Sequence, residues 1–194
     1  MAKNPRAAIT LLELIFAITL LGVIVIGFSS IELFSRSQVL STDRKTQVQN
    51  EVSYALEHMS RNVLQGVGDS ATRPLAQFGT NGFSVRIEPT PATPGDIGDD
   101  IRMSYTLTGN SLLWTSSAGG NEILSNRLMP VVSFTAMPST LPPSPNGLYI
   151  NFSDNYTVVE IGLVGRYTPG QAASLDNPQV AMKSRLYTRS ASAN

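Results

Sequence analysis

The chain has 194 residues, with 14 Lys or Arg against 14 Asp or Glu, so its formal net charge is zero. Hydrophobic residues make up 42% and charged residues 14%, which favours a folded protein over a disordered one and argues against a nucleic-acid binder held by bulk charge. There is no cysteine and only one histidine, which excludes disulfides, cysteine metal sites and two-histidine metal motifs. With one imidazole available for acid–base chemistry, we predict that the protein is not an enzyme.

An apolar segment near the N-terminus predicts a membrane anchor. Residues 14–31 carry no charge and are long enough to cross a bilayer as a helix. Lys3 and Arg6 precede this segment with no acidic residue among them. Because positively charged flanks stay in the cytoplasm, we expect the N-terminus inside and the chain after about residue 30 outside.

Two alternatives compete with an anchor. A buried core helix of a soluble protein would be unusual at this apolar length with no polar stripe. A cleaved secretory signal peptide also has a basic start, but this segment ends in Val25-Ile26-Gly27 rather than Ala-x-Ala, and Glu13 interrupts its apolar region. An acidic side chain within the hydrocarbon costs about 2.5 to 3.5 kcal/mol on insertion scales, so we expect Glu13 to have a partner.

A short basic leader precedes the segment Ala8-Ile9-Thr10-Leu11-Leu12-Glu13-Leu14, in which Glu13 is fifth when counted from Ile9. This segment resembles the cleavage motif of type IV prepilins and pseudopilins. The resemblance implies that a prepilin peptidase cuts between Ala8 and Ile9 and methylates the new amine of Ile9. The family more often has Gly at the position of Ala8, and Phe or Met at that of Ile9.

Glu13 acquires a partner if such helices bundle into a filament. Its carboxylate would pair with the Ile9 amine of a neighbouring subunit inside an apolar core, which favours assembly and fixes the axial register. The alternative is a protonated carboxylic acid near the membrane interface, tolerated because it lies within two turns of the helix end.

Behind the anchor, the pattern predicts an amphipathic helix. Residues 32–64 contain no proline and no glycine, and apolar residues recur at three- and four-residue steps. This apolar stripe consists of Val48, Val52, Ala55, Leu56, Met59 and Val63. His58 falls off the stripe, so we expect it to be solvated, and we expect Gly66 and Gly68 to end the helix.

The remainder has the alternation of an antiparallel sheet. The predicted strands are 83–87, 101–107, 112–114, 132–136, 148–152, 159–163 and 180–186. Hairpin turns are predicted at Gly109-Asn110 and at Asp154-Asn155.

The resulting expectation is an α+β fold in which a long N-terminal helix packs on a β-rich head, the "lollipop" of pilins. It divides the chain into a cleaved leader (1–8), a transmembrane or filament-core helix (9–31), an amphipathic helix entering the head (32–66) and the head itself (67–194). Residues 55–66 and 180–189 are similar to minor pilins of the PilW type and to type II secretion pseudopilins of the GspJ type.

A group of carboxylates is a candidate for ligand contact. Asp96, Asp99 and Asp100 cluster in a Pro/Gly-rich loop, and the resemblance implies calcium as their ligand, because Ca²⁺ stabilises some pseudopilin heads. The loop lacks the Asp-x-Asp-x-Asp pattern with a terminal Glu, so a solvated loop is the favoured interpretation and no cofactor is expected.

A basic face is predicted on the last strand. Lys183, Arg185, Tyr187 and Arg189 fall on one face of this strand, opposite to the face of Val180, Met182 and Leu186. They could contact DNA, as in a competence system, or another anionic partner. A charged outer face on an edge strand is the ordinary explanation, and we expect no nucleic-acid partner.

The resemblance implies a structural protein: a minor pilin or pseudopilin of a type IV pilus or a type II secretion pseudopilus. Its partners would be prepilin peptidase, other pilins or pseudopilins, an inner-membrane assembly platform and, before assembly, membrane lipid. It would reside in the inner membrane and then in the filament. The alternatives are a single-pass anchored binding protein or adhesin that never polymerises, and an anchored hydrolase.

Overall fold

The computed structural model describes residues 10–68, 72–78, 81–89, 96, 98–130, 147–153 and 156–188. One helix, α1 (Leu11–Leu64), precedes all the strands. The strands are β1 (Leu75–Phe78), β2 (Gly82–Ile87), β3 (Ile101–Thr108), β4 (Ser111–Ser116), β5 (Asn121–Ser125), β6 (Leu148–Ser153), β7 (Val158–Arg166) and β8 (Gln179–Tyr187). The chain divides into two compact units, Met1–Thr42 and Asp43–Asn194.

The described part of the first unit is helical, and its residues 14–31 are uncharged and mostly apolar. Every residue from Thr10 to Leu40 is exposed. The most apolar window of α1 reaches a mean hydropathy of 2.7 with none of it buried, so α1 is long and apolar enough to cross a membrane.

In the second unit, α1 buries one face. Val48, Val52, Ala55, Met59 and Val63 have no exposed surface, which confirms the apolar stripe. Their steps of three and four residues place them on one side of a helix with 3.6 residues per turn. Burying a Val or Met side chain of this kind stabilises a fold by about 1.5–3 kcal/mol.

The helix ends before Gly66, as expected. The Gly66 N–H donates to the carbonyl of Val63 at 3.0 Å and so closes the last turn. A Cβ on Gly66 would lie 2.9 Å from that same carbonyl oxygen and 3.1 Å from a Val85 methyl group. A larger residue therefore could not pass this close to the helix end without a shift.

The first sheet is a five-stranded antiparallel meander in the order β1-β2-β3-β4-β5. The β3–β4 hairpin turns at Gly109-Asn110, as predicted, with Thr108 opposite Ser111. Gly109 has a φ of +58°, and a glycine at the first central position of a two-residue turn is typical of the II′ hairpin.

The second sheet has the order β6-β7-β8 and is also antiparallel. Among the described residues it meets the first half of the head through the segment after β5, where Leu128 forms an isolated bridge with Gly165 of β7. The apolar faces of both sheets and the α1 stripe share one cluster of buried residues. Its largest fully buried members are Tyr105, Phe83, Met59, Leu75, Leu107, Leu112, Leu128, Leu148, Ile161 and Leu163.

The α+β class follows directly from these elements. Six of the predicted strands correspond to β2, β3, β4, β6, β7 and β8. The strands β1 and β5 were not predicted, and the strands form two sheets rather than one. The predicted strand 132–136 and the predicted turn at Asp154-Asn155 lie outside the described residues.

Candidate functional site

Glu13 lies in the first turn of α1, beside its cap. The Thr10 Oγ1 accepts a hydrogen bond from the Glu13 N–H at 3.3 Å, and the Thr10 carbonyl accepts from the Leu14 N–H at 3.1 Å. Thr10 is thus the N-cap, and Thr10-x-x-Glu13 has the spacing of a capping box. A carboxylate in the first turn also interacts favourably with the helix dipole. Glu13 therefore has a local role in starting the helix, which was not predicted from the sequence.

The cleavage residues Ala8 and Ile9 lie outside the described residues, so cleavage between them and methylation of Ile9 remain predictions.

The exposed surface of α1 over residues 14–31 is almost entirely apolar, and its three hydroxyl groups form hydrogen bonds within the helix. The hydroxyls of Thr19, Ser29 and Ser30 donate to the carbonyls of Ile15, Val25 and Ile26 at 2.9 to 3.0 Å. Each bond spans one helical turn, so none of these hydroxyls needs water. Such a surface is suited to lipid or to the apolar sides of other helices.

A charged clamp joins α1 to the segment after β5. The Nε of Arg127 donates to the Glu51 carboxylate at 2.7 Å, and the Ser125 hydroxyl donates to its other oxygen at 3.0 Å. The Arg127 guanidinium also lies over the Tyr167 ring, 4.5 Å from its centre. The clamp holds the amphipathic part of α1 against both sheets.

His58 sits in an aromatic cluster, which corrects the expectation that it is solvated. Its ring lies edge-on to Trp114 and Tyr105, with centroids 5.2 and 5.8 Å away. The Asn62 amide donates to the Tyr105 hydroxyl at 2.5 Å, and that hydroxyl lies 3.1 Å from the His58 Nδ1. Nδ1 can accept a hydrogen bond from the Tyr105 hydroxyl only when Nδ1 itself carries no proton.

Burial sets the protonation of this cluster. Desolvation lowers the pKa of His58 below its usual 6.5, the nearby Glu122 raises it, and Arg61 lowers it again. Burial also raises the pKa of Tyr105 well above its ordinary value, so its hydroxyl keeps its proton. Both groups are therefore neutral at pH 7, and the cluster works as packing with internal hydrogen bonds.

The aspartate loop holds no cluster of ligands among the described residues. No group of three or more His, Asp or Glu side chains there is arranged to hold a metal ion. The Asp96 carboxylate accepts from the Gly98 N–H at 2.9 Å, and Asp100 faces Arg86 at 3.4 Å. Desolvation raises the pKa of Asp100, although Arg86 opposes that shift. For Asp96, Asp99 and Asp100, a solvated loop stays the prediction, and calcium binding stays its untested alternative.

The basic face of β8 is exposed as predicted. Lys183, Arg185 and Tyr187 point to solvent, whereas Val180 and Leu186 are buried on the opposite face. Lys183 pairs with Glu160 of β7 at 2.6 Å, and the Arg185 guanidinium lies 5.7 Å from the centre of the Tyr187 ring. Arg189 lies outside the described residues.

Compared with models of known protein families, with curated proteins and with solved structures, the chain matches none.

Proposed function

We propose that the protein is a minor pilin or pseudopilin, a structural subunit that is processed by prepilin peptidase and assembled through α1. The observation that carries the proposal is that the two parts of this one helix have different surfaces. Residues 14–31 form an apolar surface that nothing in the described chain covers, while residues 48–63 bury an apolar stripe in a β-rich unit. An apolar helix surface of this kind is stable only in lipid or among other helices.

Glu13 is the residue that favours assembly over simple anchoring. At the membrane boundary, its carboxylate gains most from a positively charged partner, and cleavage before Ile9 would create such an amine on each subunit. In a bundle of parallel copies, the amine of one subunit and the Glu13 of its neighbour would meet in an apolar environment. Before assembly the protein would reside in the inner membrane, with its N-terminus in the cytoplasm and its head outside.

A non-polymerising anchored binding protein is the second candidate, and one observation favours it. Glu13 lies in the first turn of α1, where a carboxylate interacts favourably with the helix dipole, so the helix start accounts for an acidic residue at position 13 without a neighbouring subunit. In that case the apolar surface would contact lipid permanently.

Expression with and without a prepilin peptidase separates the two candidates. The proposal predicts that, when the peptidase is present, the chain loses the mass of residues 1–8 and gains the mass of one methyl group on Ile9. The matched control is Ala8→Leu, which leaves the apolar segment unchanged but places a large side chain at the cut. This variant should enter the membrane and stay unprocessed. An unchanged mass of the wild-type chain with an active peptidase would refute the proposal.

A further inference from the structure

The strand β8 is an edge strand whose outer backbone groups can be identified from its register. It pairs with β7 along its whole length without a shift. The Thr188 N–H donates to the Thr157 carbonyl at 2.8 Å, which marks this pair as hydrogen-bonded. Hydrogen-bonded pairs alternate along an antiparallel ladder, so the even-numbered residues of β8 bond to β7.

The odd-numbered residues therefore direct their backbone away from the sheet. The N–H and C=O groups of Ala181, Lys183 and Arg185 point outward, and no backbone group in the described part of the chain bonds to them. A sheet edge of this kind is a template for one more strand.

A groove runs beside this edge, between β8 and α1. It has a volume of about 470 Å³. Its apolar lining comes from Leu56 of α1 and Met182 of β8, both of which are partly buried against the core. The remaining lining residues are Ser53, Glu57, Ser60, Lys183 and Ser184. At one point the walls touch, since the Ser53 hydroxyl lies 3.4 Å from the Met182 sulfur.

We propose that this groove binds an extended segment of another protein, which adds a strand to the free edge of β8. The backbone of the segment would bond to Ala181, Lys183 and Arg185, about 4.8 Å from β8. Its alternate side chains would face two different surroundings, as in any strand.

The charges and the lining define the chemistry of this segment. On one face, its side chains would lie against Leu56 and Met182, which favours apolar residues. On the other face they would lie beside Lys183 and Arg185. Glu160 pairs with Lys183 and also lies opposite Arg185 in the β7–β8 register, so these three side chains together keep one net positive charge. Opposite charges across neighbouring strands are favourable, so the segment alternates apolar and acidic residues.

A second copy of this chain is a poorer occupant. If two β8 strands paired antiparallel about Lys183, two faces that each keep one net positive charge would lie side by side, and Arg185 of each copy would lie opposite Ala181 of the other. Like charges directly opposite are destabilising, and lysine on an edge strand opposes self-pairing. The positive charge that disfavours a second copy also attracts an acidic segment.

The test uses the full chain in detergent micelles and the probe peptide acetyl-Thr-Val-Glu-Val-Glu-Val-Thr-amide. Hydrogen exchange should slow at the amides of Ala181, Lys183 and Arg185 when the peptide is added. The amides of Met182 and Ser184 are already bonded to β7 and should change little. This alternation at single residues is a signature of strand addition that binding to the outer charged face alone would not produce.

Two changes should weaken binding by about tenfold each, because each removes backbone hydrogen bonds. One is a peptide with N-methyl groups on the amides that face β8. The other is Ala181→Pro, which removes an outward N–H and leaves the β7 ladder intact. The matched control is Ala181→Val, which keeps the N–H and should bind within about threefold of the wild type.

Three results would overturn the proposal. The first is no binding of the probe peptide to the folded chain, and the second is equal binding of the N-methylated peptide. The third is a dimer of the chain itself that Ala181→Pro dissociates, since a second copy would then occupy the edge. If Ala181→Pro fails to fold, the N-methylated peptide and the exchange pattern still decide.

Discussion

Arg127 reaches across from the segment after β5 and donates its Nε–H to the Glu51 carboxylate on α1 at 2.7 Å. Both side chains are mostly buried, with 26% and 33% of their surface exposed. The apolar stripe of α1 packs in the core of the β-rich unit. The ion pair with Arg127 helps to hold the helix in this orientation against the strands. A buried or half-buried ion pair with further hydrogen bonds is costly to break from one side only.

Arg127→Ala is therefore expected to lower the free energy of unfolding by about 2 kcal/mol, because Glu51 loses its partner and Tyr167 loses the guanidinium above its ring. The matched control is Arg61→Ala. Arg61 pairs with Glu57 on the same helix but its side chain is 73% exposed, so the change should cost less than about 0.5 kcal/mol. Urea unfolding of both variants measures the difference. Equal losses would contradict a structural role for the Glu51–Arg127 pair.

His58 should make the fold less stable in mild acid. Its pKa is lowered in the folded state by burial, so the folded chain binds fewer protons than the unfolded chain between that lowered value and about 6.5. The free energy of unfolding therefore rises with pH in this window and falls as the pH drops below about 6.5. Protonation also removes the acceptor that Nδ1 offers to Tyr105.

The pH prediction is measured as the difference between the wild type and His58→Gln. This difference should change with pH below about 6.5 and flatten as the pH rises above about 7. Asp100 is present in both chains, and its raised pKa makes the free energy of unfolding fall as the pH rises above 3.8. This contribution is the same in both chains and therefore cancels in the difference. Parallel pH profiles for the two chains would mean that His58 does not carry the effect.

At Gly165, β7 packs directly against α1. A Cβ at this position would lie 2.9 Å from a Val52 methyl group and 3.0 Å from one of Val48. Gly165→Ala should therefore push the helix away and cost about 1–3 kcal/mol, despite the ordinary benefit of replacing glycine in a strand. Gly170→Ala is the control, since nothing lies within 4 Å of its Cβ position. Thermal unfolding of both variants checks the prediction, and a Gly165→Ala variant as stable as the wild type would show that the contact is looser.

The sequence predicted the features that depend on local pattern. The stripe Val48 to Val63 and the Gly109 hairpin follow from spacing and from glycine, and both are found. The environment of His58 could not be predicted, because it is created by Tyr105 and Trp114, which lie in distant strands. The strand β1 is too short to show alternation, and β5 is interrupted by a register shift at Leu112/Leu113 of its partner. The Thr10-x-x-Glu13 cap is visible in the sequence, but it overlaps the cleavage motif, which by itself offered a reason for Glu13.

Glu13→Leu separates the two roles of this residue. The change removes the carboxylate, so insertion should persist and membrane residence should become more favourable. The cap at Thr10 uses a backbone N–H and is retained, so the helix start should be little affected. If Glu13 pairs with a neighbouring amine, the share of the chain in sheared filaments should fall at least about tenfold relative to the membrane share. Glu13→Gln serves as a near-isosteric companion, and equal partitioning of both variants and the wild type would remove Glu13 from the assembly contacts.

Our main proposal is that this chain becomes a filament subunit through α1. It is tested by the intact mass and amount of the wild-type protein in the filament fraction of cells that carry an assembly system, compared with the same cells lacking prepilin peptidase. We expect a chain that begins at a methylated Ile9, present in filaments and absent from them without the peptidase. A chain that keeps residues 1–8 and stays entirely in the membrane fraction of peptidase-containing cells would contradict the proposal.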